Sequence, residues 1–450
     1  MQTKLQWGGR FSAEPDAALL RFGSSLTDDL PLAGCDVQCS LAHVEALAGG
    51  GIIVGPDATA LRAALTQVAQ EVQTGAFAAF AFDCGAEDVH GAIDARVRQI
   101  ASGPGALLHA GRSRNDQVAT TLRLFIAQQC RAASDACAAA VDVLANQAET
   151  ALQEQTLLPA MTHWQLAQPA LLAYWLCAAA EPLKRAADRC AAAADAAMAE
   201  MPLGSAAVCG STLPLDREAA RAVLGFAALS PNGMDAIGSR DVALDGAHAI
   251  VTALAAASRV CEELIVWCNP LVGFAELGDE ASTGSSLMPQ KRNPDPFELV
   301  RGLAATSAGA YAGALASTVG VALSYHRDLQ QTKAVIVSIA ARGAEGVDAF
   351  ARALSYVTYD ADAMGHAAGA GFTVATDLAD AMIAGGSSAR EAHETIGAKV
   401  RELESQGETF DSQMTPLQSV LKKQTAGSTH PEEVAKNIAA LRAWIGGRNA

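Results

Sequence analysis

Long stretches of this chain lack helix-breaking residues and are rich in apolar side chains. Residues 112–158 hold no glycine or proline over 47 positions, and 239–269 hold only Gly246 as a breaker. The segment 183–201 lies between two prolines, and 297–415 has none. Because Ala, Leu, Gln and Glu favour helix, we predict helices there, the first about 70 Å long at about 1.5 Å per residue.

Strand-like patterning is hard to find. Alternation of apolar and polar residues with many β-branched side chains, which is typical of half-buried strands, does not recur along the chain. We therefore predict an all-α fold without a large sheet. Alanine-rich helices that are apolar nearly all round must be covered by other helices, which predicts a long bundle extended across subunits.

Glycine and proline clusters indicate where domains begin and end. Gly103-Pro104-Gly105 precedes the longest predicted helix, and glycines cluster within 365–371. The predicted domains are an N-terminal helical domain at 1–110, a central long-helix domain at 111–362 with a loop at 278–296, and a C-terminal helical domain at 363–450.

Composition excludes several classes of protein. The chain has 450 residues and a net charge of −16, from 32 basic and 48 acidic side chains. Half of its residues are apolar, unlike a disordered tail, and its acidity is unlike a basic nucleic-acid binder. The longest apolar run, 170–180, has 11 residues against roughly 20 needed to cross a bilayer, so it predicts a core segment and no membrane partner.

The cysteines and the N-terminal residues predict a cytoplasmic protein. The ten cysteines form no C-x-x-C pair and lie mostly among Ala and Leu, which is typical of buried thiols in a reducing compartment. Lys4 and Arg10 are not followed by the apolar segment of a secretion signal.

Four polar islands interrupt the apolar chain, and the first lies at the start of the longest predicted helix. It is the run 111–117, Gly-Arg-Ser-Arg-Asn-Asp-Gln. Ser113 and Asp116 resemble a capping box, which would be a purely structural role. Arg112 and Arg114 oppose the helix dipole there, however, and indicate a bound anion. An acidic protein needs such local positive charge to hold an anionic substrate.

Two islands are ambiguous on residue chemistry alone. The run 162–165, Thr-His-Trp-Gln, could be a second capping box beside a structural histidine. The run 325–333 introduces polar residues into a proline-free helical stretch, which is typical of a solvated face or a subunit contact.

The remaining island is the connection 278–296, which carries two glycines and three prolines in 19 residues. Connections of this length are usually functional or disordered. Amides from Gly284 to Ser286 could cradle an oxyanion, Lys291 adds positive charge, and Gly284 permits the motion of a closing lid. Glu298 falls in the first turn of the next helix, where it is either functional or a favourable charge for the helix dipole.

Taken together, the islands resemble the argininosuccinate lyase branch of the fumarase/aspartase superfamily. The Ser-Ser-x-Met-Pro-x-Lys-x-Asn pattern at 285–293 is specific to the superfamily, and 111–117 is specific to the branch. The resemblance runs from end to end, through the further segments 7–11, 87–90, 162–163, 168–169, 239–241 and 375–380.

The resemblance implies a three-domain homotetramer around a 20-helix core, with each active site assembled from three subunits. It implies reversible elimination of an N-substituted aspartate to fumarate and an amine, in this branch argininosuccinate to arginine, without metal or organic cofactor. Removing a proton beside a carboxylate develops additional negative charge, so the site must supply positive charge and hydrogen-bond donors.

By the same resemblance, Ser285 is the general base, a role that needs a strongly depressed hydroxyl pKa, and loop amides with Lys291 would stabilise its alkoxide. His163, paired with Glu298, protonates the departing nitrogen. Oxyanion donors are Ser113, Asn115, Thr162, Ser285, Ser286, Lys291 and Asn293. Arg114 and Arg240 hold carboxylates, and the amine half contacts Tyr325, Gln330 and Lys333. Further expected substrate-binding residues are Ser25, His90, Arg112 and Met288.

Several departures from the usual branch pattern cluster on the part that recognises the amine, at Gly23, Ala86, Ala110, Leu166, Gln331 and Thr332. Three hypotheses therefore remain. The chain is an argininosuccinate lyase, a paralogue releasing another amine from an N-succinyl amino acid or diamine such as an amine disuccinate, or a non-catalytic structural protein like some lens crystallins. The intact residues Ser285, His163, Lys291 and Glu298 argue against the last.

Overall fold

The computed structural model describes residues 15–410 and 414–448, which are mostly helical, as predicted. The segment 7–11 of the resemblance lies outside them. The helices are α1 Ala17–Gly23, α2 Leu26–Asp29, α3 Ala33–Gly49, α4 Gly55–Gln73, α5 Ala76–Asp83, α6 Val89–Ile100, α7 Arg114–Gln153, α8 Leu172–Ala197, α9 Arg217–Leu224, α10 Gly233–Gly238, α11 Asp241–Trp267, α12 Asp295–Ala316, α13 Leu329–Leu354, α14 Ala361–Ala368, α15 Ala375–Ala384, α16 Ala389–Gln406, α17 Pro416–Leu421 and α18 Pro431–Arg448.

Strands within the described residues are short and pair only in twos, which confirms that the fold has no large sheet there. The first and third pairs are antiparallel and the second is parallel. In chain order the strands are β1 Leu157–Thr162, β2 Gln165–Leu171, β3 Glu200–Met201, β4 Ala228–Leu229, β5 Ala275–Leu277 and β6 Val357–Tyr359, paired β1 with β2, β3 with β4 and β5 with β6.

The chain forms two compact units, each built from segments that are far apart in sequence. The first unit comprises Met1–Ser134, of which 15–134 are described, with Asp188–Thr252 and Leu303–Glu345. The second unit comprises Asp135–Ala187, Ala253–Gly302 and Gly346–Ala450. The three domains anticipated from the glycine and proline clusters remain a prediction.

The longest predicted helix is present but shorter than the stretch free of glycine and proline. Helix α7 has 40 residues, about 60 Å at about 1.5 Å per residue. Soon after its end Gln155 takes a left-handed backbone conformation, with φ of 52°, and residues from Leu157 pair as strand β1 with β2. The lack of glycine and proline therefore predicted too long a helix, because its last predicted residues pair as a strand instead.

Close helix packing explains the one glycine inside α11. A Cβ atom at Gly246 would lie 2.4 Å from Cγ2 of Ile126 on α7 and 3.2 Å from Sγ of Cys130. Ile126 and Cys130 are both fully buried. Gly246 thus lets α7 and α11 approach closely in the core of the first unit, which offsets the cost of glycine within a helix.

Helices are present in both stretches that were predicted from proline spacing, but their boundaries differ from those of the stretches. Helix α8 passes through Pro182 and ends at Ala197, before the stretch 183–201 is complete. The proline-free stretch 297–415 is divided into several helices and contains β6. Side-chain caps start new helices there without proline, since Asp360 accepts from the amide of Ala363.

The ten cysteines, all within the described residues, form no disulfide, and most are buried as predicted. Burial raises the pKa of Cys130 to about 12, so such thiols stay protonated and unreactive. Cys209 is exposed, and the prediction of burial was wrong for it.

Among the described residues, no helix combines the length and apolar character that crossing a membrane requires.

Candidate functional site

Six predicted substrate-binding residues line one pocket of the first unit, where distant segments of the chain meet. They are Ser25, Arg114, Arg240, Tyr325, Gln330 and Lys333. Further lining residues, to which no individual role was assigned from the sequence, are Glu87, Asp88, Val118, Arg327 and Leu329. Five residues of the run 325–333 therefore line a pocket beside and within the start of α13, while His326, Asp328 and Gln331 are exposed, as on a solvated face.

A buried ion pair holds two of these residues. Nζ of Lys333 lies 2.7 Å from Oδ1 of Asp29, and the hydroxyl of Ser25 donates to Oδ2 of the same carboxylate at 2.6 Å. Asp29 and Lys333 are both buried. Asp29 thus fixes the positions of Ser25 and Lys333 and balances the lysine charge. The sequence signal that could have identified Asp29 is its acidic side chain between the apolar residues Leu26 and Leu32.

Replacing Asp29 by asparagine is expected to destabilise the fold, because Lys333 then stays buried without its counter-charge. We expect a loss of about 3–5 kcal/mol in the free energy of unfolding. Thermal unfolding followed by circular dichroism measures it. The double variant Asp29→Asn with Lys333→Met removes both charges and should regain most of the loss. A single variant that melts with the wild type would show that the pair does not support the fold.

Arg240 is a buried cation without a carboxylate partner among the described residues. It is 5% exposed, and its guanidinium donates to the carbonyls of Ile237 at 3.1 Å and Ser239 at 2.8 Å. Its Nε has no hydrogen-bond partner in the described part of the chain. Burial lowers the pKa of Arg240 to about 10, so the side chain still carries its charge at neutral pH. The pocket therefore offers an unbalanced positive charge.

Arg114, in contrast, is already paired. Its Nε lies 3.1 Å from Oδ2 of Asp88, and its guanidinium donates to Gln117 at 2.9 Å. Asp88 also accepts from the amide of Gly91 at the start of α6. Burial acts to raise the pKa of Asp88, but the nearby Arg114 guanidinium, the His90 imidazole and the Gly91 amide outweigh it and lower that pKa.

The first turn of α7 positions Ser113 and Asn115. The amide of Ser113 donates to Asp116, and the Ser113 hydroxyl accepts from the Asn115 amide, which is close to the predicted capping box. Asp116 also accepts from the amides of Gly204 at 2.9 Å and Ala206 at 2.8 Å. The buried carboxylate thus ties the loop at 204–206 to the helix start.

Arg112 and His90 lie near another buried carboxylate, that of Asp36, and do not line the pocket. Nδ1 of His90 lies 3.0 Å from Oδ1 of Asp36, and Arg112 donates to Ser40 at 3.0 Å. Burial acts to raise the pKa of Asp36, but His90 and Arg112 hold it well below its usual range. Asp36 also accepts from Gln117 and was not predicted from the sequence.

Thr162 and His163 lie at the tip of a hairpin in the second unit, so a helix cap at 162–165 was a wrong interpretation. His163 and Trp164 connect β1 to β2 with φ of 57° and 59°. Two consecutive left-handed residues form the tight turn that suits hairpin twist, usually with Asn and Gly rather than bulky side chains. Such strained residues are typical of functional sites. The His163 side chain is exposed.

The predicted functional connection leads from β5 into α12, and a backbone bridge closes its base. Thr283 and Asn293 exchange backbone hydrogen bonds at 2.8 and 3.2 Å. Arg292 donates to the Leu277 carbonyl at 2.8 Å and contacts the carboxylates of Glu276 and Asp279. These contacts fix both ends of the connection and leave the residues between them as a projecting loop.

Within this loop the hydroxyl oxygen of Ser285 accepts two backbone hydrogen bonds. The amides of Leu287 and Met288 donate to it at 3.2 and 3.1 Å. Ser286, Met288 and Lys291 are exposed. The loop therefore presents Ser285 at a tight turn whose amides point at its oxygen.

Glu298 lies in the first turn of α12, as predicted, and is exposed. His163 and Glu298 both belong to the second unit, and both side chains are exposed. Their pairing remains a prediction.

The positions that depart from the branch pattern have different surroundings. The Gly23 carbonyl accepts from Arg327 and Gln330 in the pocket. Thr332 is buried, 2.7 Å from the hydroxyl of Ser317, and Leu166 is exposed on β2 beside the hairpin tip. Of these three, only Gly23 touches residues that line the pocket.

Comparison with known families decides the membership of the chain. A lyase family model matches residues 9–309, and a model of the C-terminal region of argininosuccinate lyase matches 372–434. The chain belongs to the argininosuccinate lyase family. The resemblance to this branch of the fumarase/aspartase superfamily is thereby confirmed, and the chain is a carbon–nitrogen lyase.

Individual relatives agree with this membership. An argininosuccinate lyase of Corynebacterium efficiens is 40% identical over 402 residues, covering 89% of this chain and 83% of that protein. An argininosuccinate lyase of Desulfovibrio desulfuricans is 35% identical, covering 99% of each chain. The structure of an EDDS lyase variant with bound fumarate shares the fold at a TM-score of 0.78 and 23% identity, covering 93% of this chain and 86% of that one.

Proposed function

We propose that this chain catalyses the reversible elimination of argininosuccinate to arginine and fumarate. Relatives named argininosuccinate lyase, 35–40% identical over most of the chain, support it. Its chemical support is the buried, unbalanced charge of Arg240 in a pocket that also contains Arg114 and Lys333. A substrate rich in carboxylates supplies the missing negative charge.

The reaction removes a proton from a carbon beside a carboxylate, and negative charge grows on that carboxylate. Fixed positive charge that needs no rearrangement stabilises such a transition state most effectively. Arg240 fits this role, because its guanidinium is held by the carbonyls of Ile237 and Ser239 before substrate arrives. In this proposal Arg240 and Arg114 bind the succinyl carboxylates.

Ser285 is the proposed base. A serine can take a proton only when its alkoxide is stabilised, and hydrogen bonds to an anion favour the charged form. The amides of Leu287 and Met288 already donate to its oxygen, and Lys291 in the same loop adds positive charge. His163, assisted by Glu298, then protonates the nitrogen that leaves.

The proposed active assembly is a homotetramer in which three subunits complete each site. Its support is the exposure, on a single chain, of residues that catalysis would bury, such as His163 and Lys291. Large apolar residues are also exposed, Val319 at 78% and Leu323 at 81%, which is typical of surfaces that a partner covers. Ten cysteines that form no disulfide support a cytoplasmic location.

A substrate panel tests the proposed function. Purified protein is mixed with argininosuccinate, an amine disuccinate and other N-substituted aspartates, and fumarate is measured by ultraviolet absorbance. We expect fumarate from argininosuccinate in preference to the others. Fumarate from an amine disuccinate with argininosuccinate inert would instead identify the paralogue, which the departures at Gly23, Gln331 and Thr332 favour. A chain inert towards the whole panel would be a non-catalytic descendant.

A further inference from the structure

The most exposed ion pair of the pocket joins Glu87 and Arg327. Two guanidinium nitrogens of Arg327 each lie 3.3 Å from Oε1 of Glu87, and one of them donates to the Gly23 carbonyl at 2.8 Å. The side chains are 28% and 58% exposed. Both residues line the pocket, and neither was assigned a role from the sequence.

This pair is easily exchanged, in contrast to the other ion pairs of the pocket. Exposed ion pairs contribute about 0–1 kcal/mol, so opening one costs little. Lys333 with Asp29 is buried, and Asp88 is held by Arg114 and the Gly91 amide. Among these carboxylates, Glu87 is therefore the one whose ion-pair partner an incoming cation can replace.

The proposed substrate carries a complementary pair of charges. In argininosuccinate the succinyl group is attached to the guanidino end of arginine, and the opposite end bears an α-ammonium beside an α-carboxylate. We propose that Glu87 binds this α-ammonium and Arg327 the α-carboxylate, so that one weak internal pair is exchanged for two charge-assisted contacts. This assignment rests on the proposed function and selects amino acids over simple amines and diamines as leaving groups.

Gly23 links this assignment to a departure from the branch pattern. A Cβ atom at Gly23 would lie 3.3 Å from a terminal guanidinium nitrogen of Arg327, closer than side-chain contacts usually are. The Gly23 carbonyl also accepts from Gln330 at 3.1 Å. Glycine in place of the usual asparagine thus gives the Arg327 guanidinium room beside Glu87.

Three succinyl adducts separate the two contacts. They are argininosuccinate, the agmatine adduct, which keeps the ammonium and lacks the carboxylate, and the 5-guanidinopentanoate adduct, which keeps the carboxylate and lacks the ammonium. Glu87→Gln should lower kcat/KM for argininosuccinate and the agmatine adduct by about 10- to 100-fold relative to the third adduct. Arg327→Met should lower kcat/KM for argininosuccinate and the 5-guanidinopentanoate adduct by a similar factor relative to the agmatine adduct. Both losses should appear mainly in KM, because these contacts lie far from the bond that breaks.

Matched controls come from another exposed pair, Arg390 with Glu394 on α16. Arg390→Met and Glu394→Gln should leave all three values of kcat/KM unchanged. Equal losses on all three adducts in the Glu87 and Arg327 variants would overturn the assignment, since a merely structural role does not distinguish them. If the wild type cleaves argininosuccinate and the variants keep its ratios of kcat/KM among the three adducts, this assignment fails and the proposed function stands. Absence of fumarate from every adduct with the wild type would overturn the proposed function as well.

Discussion

Ser285→Ala is expected to lower kcat/KM for fumarate formation by about two to four orders of magnitude. The alanine has no oxygen to accept the proton, and proton removal beside a carboxylate is the difficult step. Fumarate absorbance measures the rate, and circular dichroism checks that helix content is unchanged. Ser405→Ala, an exposed serine on α16 that donates to Glu402, is the control and should match the wild type.

The loss in this variant has a second explanation, because Ser285 also shapes its loop. Alanine leaves the amides of Leu287 and Met288 without their acceptor and could disturb the turn. Asparagine at 285 separates the two effects, since its side-chain oxygen can accept from amides two and three residues on but cannot act as an alkoxide. We expect Ser285→Asn to be as inactive as the alanine variant.

Two results would contradict the role of Ser285. Near-normal turnover by the alanine variant would remove it as the base. Recovery of activity in Ser285→Asn would show that the loop conformation, rather than proton removal, needs this residue.

The sequence predicted helix-forming regions better than it predicted where helices end. The scarcity of glycine and proline identified α7 and α11, because nearly continuous helix formers leave few alternatives to helix. The same rule failed at 154–158, where the next residues pair as a hairpin. Such pairing depends on contact with Gln165–Leu171, which a local pattern does not contain.

The residues of the candidate site were also predicted only in part. Arg114, Arg240 and Lys333 were predicted from motifs, and the fold brings them to one pocket. Their partners were not predicted, because Asp29 and Asp88 act through tertiary contacts that no spacing reveals. Only the fold therefore shows that Arg240 is the cation without a carboxylate partner among the described residues.

The hairpin tip marks a further limit of pattern analysis. Thr162 and Gln165 have the spacing of a capping box, and only pairing of the flanking strands excludes it. The left-handed conformations of His163 and Trp164 are rare for such side chains, so no residue preference predicts them. Strain at this position favours a functional role for His163 that spacing alone did not support.

Replacing Arg240 is expected to reduce activity strongly and thermal stability only slightly. A buried charge without a counter-charge costs folding free energy, so its retention indicates a ligand that balances it. Arg240→Met is expected to lower kcat/KM by about two to three orders of magnitude, as expected when one partner of a buried charge pair is truncated. The thermal midpoint should change far less than in Asp29→Asn, because relief of the buried charge offsets the lost bonds to Ile237 and Ser239.

Ligand-induced stabilisation provides an independent readout of the same substitution. A ligand that binds only the folded protein raises its thermal midpoint, so fumarate should stabilise the wild type. Arg240→Met should lose this shift, and Arg240→Lys should recover part of it, since lysine keeps the charge but not the two-pronged geometry. Full fumarate stabilisation of the methionine variant would show that the carboxylate is held elsewhere. A strong fall in its midpoint without fumarate would show that Arg240 serves the fold.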